Sequence, residues 1–99
     1  LATMKQGSVL INIGRGDLVD LDALVAAIES GKIMAAGLDV FSTEPLPLEH
    51  PIRSMSNVML SSHVASVSPK AIKSLRESVA GIALKAIAGE PLPNVVNEV

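Results

Sequence analysis

Cysteine, tryptophan and tyrosine are missing from this sequence, and Phe41 is its one aromatic residue. Without cysteine there is no disulfide framework, no thiolate nucleophile and no zinc–thiolate site, and no metal site is expected. The lack fits a reducing compartment such as the cytoplasm. Nucleic-acid modules need basic patches and stacking rings; a formal net charge of −2 and a single ring supply neither. No apolar run approaches the ~18 residues of a membrane helix, so no membrane partner is expected. The opening Leu1-Ala2-Thr3-Met4-Lys5 also lacks the charged-then-apolar order of a signal peptide. It reads as the tail of a helix that starts earlier in a longer protein.

What the chain has is apolar mass. Hydrophobic residues make up 48% of its 99 positions, and the mean hydropathy is +0.46. That suits strands buried on both faces, as in a parallel sheet covered by helices. Ser8 to Ile13 reads as the first such strand and Gly14-Arg15-Gly16 breaks it. Asp20 reads as a helix N-cap, with Leu21, Leu24, Val25 and Ile28 at helical spacing and Gly31 closing the helix. Met34 to Phe41 reads as a second strand, a loop punctuated by Pro45, Pro47 and Pro51 follows, and Asn57 to Ser61 reads as a third strand. Ser68-Pro69 starts a last helix whose apolar stripe is Ile72, Leu75, Val79, Ile82, Ala86 and Ile87. Gly89 ends it, and Pro91 and Pro93 extend the tail. The four Met residues are expected in the core, and His50 is expected to face solvent. The alternation of strand and helix predicts a doubly wound parallel α/β sheet, of which three strands are only a part.

Ligands of open α/β sheets sit outside the carboxyl ends of the strands. Each predicted strand delivers polar chemistry there: Arg15 after the first, Asp39 and then Glu44 with the second, His63 after the third. Parallel neighbours bring all four to one rim. A guanidinium forks onto a carboxylate, an imidazole gives or takes a proton near neutral pH, and an acid against its far nitrogen fixes the tautomer. Together they suit a 2-oxo or 2-hydroxy carboxylate. Taken singly, each has a plainer reading. Arg15 reads equally as a solvated turn charge, Asp39 as a loop cap, Glu44 as a solvated acid and His63 as a satisfied structural histidine.

Three segments carry a resemblance. M-K-Q-G-S-V-L-I-N-I-G-R-G-D-L-V-D (Met4 to Asp20), G-L-D-V-F-S-T-E-P-L-P (Gly37 to Pro47) and N-V-M-L-S-S-H-V-A-S (Asn57 to Ser66) resemble, in order, the arginine, acidic and histidine segments of the D-isomer-specific 2-hydroxyacid dehydrogenases. The tail from Gly89 to Asn97 resembles the end of that family. The resemblance implies the last strands and helices of a Rossmann-type sheet. Residues 1–66 would form the C-terminal half of a nicotinamide-coenzyme domain, and 67–99 a helix crossing back to the substrate domain. It implies NAD or NADP as cofactor and a homodimer. By its pattern Arg15 would bind the substrate carboxylate, His63 would be the acid/base and Glu44 its partner. Ile13, Gly14, Arg15, Asp39, His63 and Ala65 would lie by the coenzyme, and Ser66 by the substrate. The phosphate-binding G-x-G-x-x-G turn of the family is absent, so the isolated chain is expected to be inactive. The family commonly has Thr-Pro before the histidine; Ser61 and Ser62 stand here. A second family use, an NAD(H)-sensing corepressor with the same Arg, Glu and His, is the alternative reading.

Overall fold

The computed structural model describes residues 1–97, and the chain divides into two compact units, Leu1–Ala65 and a second opening at Ser66. The first unit is a three-stranded parallel sheet: β1 (Ser8–Asn12), β2 (Ile33–Leu38) and β3 (Val58–Leu60), in the order β1-β2-β3. Between β1 and β2 runs α1 (Leu21–Glu29). The Asp20 side chain caps α1 by accepting the Ala23 N–H at 3.0 Å. Past its last turn Gly31 takes φ +72°, a left-handed conformation that spares glycine a Cβ clash.

Register decides which side chains are buried. Leu10, Ala36 and Val58 form one row across the sheet, and Asn12, Leu38 and Leu60 form another. Both rows lie on the face that packs with Leu24, Val25 and Ile28 of α1 and with Ile52. The register slips at the start of the β1–β2 pair, where Ser8 faces Ile33 but Val9 faces Ala35. The extra residue, Met34, lets Ile33 and Ala36 point to the same side although their spacing is odd. On the other face the row Ile11, Gly37, Met59 is open, with Ile11 72% and Met59 76% exposed.

Several expectations need correction here. Met34 and Met59 are exposed, Met59 on the open face, and only Met4 and Met55 pack at the margin of the core. β2 ends at Leu38, not Phe41, because β1 stops at Asn12 and offers no partner beyond it. Leu1 to Met4 forms a single turn, closed by the Met4 N–H on the Leu1 carbonyl at 3.1 Å. The proline loop holds a 3-10 turn, Pro51–Ser54, and His50 is not solvent-facing: its Nδ1 accepts the Ile52 N–H at 3.3 Å. Pro51 has no N–H to offer, so the first free donor of that turn is Ile52, and the histidine satisfies it.

The second unit contains α2 (Pro69–Ile87), capped by Ser68 through the Ala71 N–H at 3.1 Å. Its stripe, including Leu75, Val79 and Ile87, is exposed. No helix among the described residues is long and apolar enough to cross a membrane.

Candidate active site

The C-terminal ends of the three strands lie in one row, Asn12–Leu38–Leu60, so the segments that leave them start side by side. Each segment is then fixed by a polar residue, and the three are tied to one another.

The first segment turns at once. The Asn12 Oδ1 accepts the Gly14 N–H at 3.1 Å, and its Nδ2 donates to the Arg15 carbonyl at 2.8 Å. Arg15 has extended backbone, then a 3-10 turn, Gly16–Leu18, begins. The Arg15 guanidinium is exposed, donates to the Gly14 carbonyl at 2.8 Å, and has no ion-pair partner among the described residues. Gly16 is buried against the second segment: a Cβ there would lie 2.0 Å from the Phe41 carbonyl carbon and 2.2 Å from the Ser42 nitrogen. No side chain fits in that gap, so only glycine lets the arginine loop lie against the Phe41–Ser42 peptide.

The second segment carries both acids. Asp39 is 3% exposed, and burial of a carboxylate is costly unless it is bonded. Its Oδ1 accepts the Ser61 hydroxyl and the Val64 N–H (2.9 Å); its Oδ2 accepts the Ala65 N–H at 2.8 Å. Chiefly the Ser61 hydroxyl, then the Ala65 amide, hold the carboxyl below its ordinary range against the opposing effect of burial. Glu44, whose peptide to Pro45 is cis, is fixed at both oxygens: Oε1 accepts the Phe41 N–H at 2.9 Å and Oε2 lies 2.9 Å from His63 Nδ1. The His63 contact, followed by the Phe41 amide, lowers its pKa as well.

The third segment bends sharply at His63, which has φ +58°. A left-handed conformation costs a non-glycine residue about 1–2 kcal/mol. It persists here because the two amides that follow both close on Asp39, in the manner of an anion nest. The imidazole is 48% exposed. With Glu44 on Nδ1, the proton on that nitrogen is fixed and Nε2 is the atom left for exchange with a ligand.

Arg15, Glu44 and His63 thus belong to three loops joined through Asn12, Gly16 and Asp39, and the rim expected of the parallel strands is present. Ile13 and Gly14 are exposed at its edge, as is Ala65. Ser66 is exposed and opens the second unit. Two supporting residues escaped the reading of the sequence. Asn12 interrupts the apolar run of β1 just as Asp39 follows that of β2, a parallel that could have drawn attention to it. The close approach at Gly16 has no signal beyond the Gly-Arg-Gly spelling.

A parallel α/β sheet with polar residues on the loops at the carboxyl ends of its strands has the arrangement of a Rossmann-type coenzyme-binding domain. The family profile "D-isomer specific 2-hydroxyacid dehydrogenase, NAD binding domain" matches residues 1–65. The chain is 43% identical over 91 residues to a glyoxylate reductase/hydroxypyruvate reductase of Homo sapiens, covering 92% of this chain and 28% of that protein. Among solved structures, a D-isomer specific 2-hydroxyacid dehydrogenase from Xanthobacter autotrophicus Py2, in complex with NADPH and MES, superposes with a TM-score of 0.85 at 38% identity, over 97% of this chain and 39% of that one. An NADPH-dependent glyoxylate/hydroxypyruvate reductase from Sinorhizobium meliloti, in complex with NADP and sulfate, gives a TM-score of 0.80 at 34% identity, over 92% and 28% of the two chains. The chain belongs to the D-isomer-specific 2-hydroxyacid dehydrogenase family. It spans about three tenths of the length of the curated relatives it matches.

Proposed function

We propose that the full-length protein carrying this chain interconverts a small 2-oxo acid and its D-2-hydroxy acid with NAD or NADP. The observation that carries this reading is the Glu44–His63 pair, 2.9 Å apart, in a sheet whose β1 leads at the same carboxyl end into Arg15, an arginine without an ion-pair partner among the described residues. The Arg15 fork holds the substrate carboxylate. His63 Nε2 delivers a proton to the carbonyl oxygen and takes it back in the reverse direction, while Glu44 keeps the ring oriented. When bound, the coenzyme supplies the hydride. The residues present fit its nicotinamide end. Ile13 offers an exposed apolar surface and Gly14 an exposed backbone, and Arg15, His63 and Ala65 are exposed on the loops that leave β1 and β3. Asp39 has both oxygens engaged by the histidine loop, so it serves that end through Val64 and Ala65.

Residues 1–66 are the coenzyme-domain part of this assignment; the helix and tail, 67–99, carry an apolar stripe toward the substrate domain, with Ser66 near the substrate. The protein works as a cytoplasmic homodimer, and this piece alone is inactive because it lacks a phosphate cradle. The test is NADH and NADPH oxidation by the full-length protein with glyoxylate, hydroxypyruvate, pyruvate and phosphohydroxypyruvate. Turnover of at least one is expected. Coenzyme binding without any turnover would contradict the enzymatic reading and favour a coenzyme-sensing binding protein.

A further inference from the structure

Asn12 and Asp39 are the buried polar side chains of the described residues, 7% and 3% exposed. Asp39 serves the histidine loop. Asn12 serves the arginine loop alone: its amide oxygen takes the Gly14 N–H and its amide nitrogen reaches the Arg15 carbonyl. Its main-chain carbonyl accepts the Asp39 N–H at 3.0 Å. One residue therefore connects the backbone that aims the guanidinium to the strand end that carries the acids. Resting on the function proposed above, we propose that Asn12 is a positioning residue for substrate-carboxylate binding, acting through the backbone of Gly14 and Arg15.

The chemistry requires an amide. The Gly14 N–H needs an acceptor and the Arg15 carbonyl needs a donor, so only a side chain with both satisfies the turn, and the orientation of the amide is fixed by its neighbours. Aspartate would keep the acceptor for Gly14. It would set a carboxylate oxygen against the Arg15 carbonyl and bring a negative charge under the loop that receives an anion. Serine can still bond the Gly14 amide in a shorter turn. Alanine can do neither.

The experiment uses the full-length protein and reads KM for the 2-oxo acid, kcat, coenzyme affinity and hydrogen exchange at the Gly14 amide in N12A, N12S and N12D. In N12A, KM should rise about tenfold with smaller losses in kcat and coenzyme affinity, and the Gly14 amide should exchange about fivefold faster, as expected for loss of one hydrogen bond. N12S should recover part of both effects, and N12D should bind the acid more weakly than N12A. KM within twofold of wild type in N12A, or equal losses in KM, kcat and coenzyme affinity without rescue by serine, would overturn the proposal. If N12A does not fold, the contrast between N12S and N12D decides it. If the wild-type protein turns over no 2-oxo acid, the enzymatic reading fails separately; unchanged Gly14 exchange would then overturn the role of Asn12, and faster exchange would support it.

Discussion

The arginine loop and the histidine loop leave the two outer strands of the same sheet, β1 and β3, yet they are held by different chemistry. A neutral amide, Asn12, sets the first through one accepted and one donated hydrogen bond. Two carboxylates set the second: Asp39 gathers Ser61, Val64 and Ala65, and Glu44 takes the imidazole. The arginine loop is thus supported without adding negative charge, whereas the histidine loop is supported by two carboxylates. The supports differ in kind, so a change in one should read out differently from a change in the other.

The largest effect should come from abolishing the difference. Gly16→Ala drives a Cβ into the Phe41–Ser42 peptide, where only backbone can give way. Both loops should shift, with a loss of about 3 kcal/mol or more in urea unfolding and collapse of kcat/KM. A variant of normal stability would mean that the two loops do not depend on that contact.

Asp39→Asn should separate the loops. One carboxylate oxygen becomes an NH2 facing an N–H or hydroxyl donor, so the His63 turn loosens. We expect kcat to fall about 10- to 100-fold with little change in KM for the acid, the inverse of the N12A pattern. Steady-state kinetics at saturating coenzyme checks this.

Acid should act on the histidine loop alone. Asp39 and Glu44 both have pKa values lowered in the fold, so as pH falls the unfolded chain takes up their protons first. Their stabilisation is full above the ordinary carboxylate range of ~4 and is lost as pH drops through the depressed folded-state values. Unfolding midpoints measured from pH 6 to pH 3 (about the range where acids titrate) should decline, and Glu44→Gln should flatten part of that decline. Hydrogen exchange at Gly14, corrected for its intrinsic pH dependence, should stay level until global unfolding.

The smallest effect concerns Ser62. Proline there narrows the unfolded ensemble and favours extended backbone at Ser61, whose hydroxyl bonds Asp39. Ser62→Pro should add about 0.4–1 kcal/mol of stability in urea unfolding, with kcat unchanged.

What the sequence reveals follows from how local each cause is. Asp20, Gly31, Ser68 and Gly89 mark helix ends correctly because capping involves residues only a few positions apart. The rim of Arg15, Asp39, Glu44 and His63 is legible because parallel strands send their carboxyl ends to one side. The partition of the sheet into a covered and an open face is not legible. Val9, Ile11 and Met59 look like core, and only the register shows that they share the uncovered side. The role of His50 is hidden for a related reason: it depends on a 3-10 turn started by Pro51. The grip of Asn12 is a local turn, but its meaning comes from the arginine beyond it.

The central claim is that His63, held by Glu44, moves the proton. The most direct measurement is kcat of the His63→Ala full-length protein, with its best 2-oxo acid and saturating NADH or NADPH, beside the wild type. A loss of about 10²- to 10⁴-fold with coenzyme affinity preserved is predicted; turnover near that of the wild type would contradict the account.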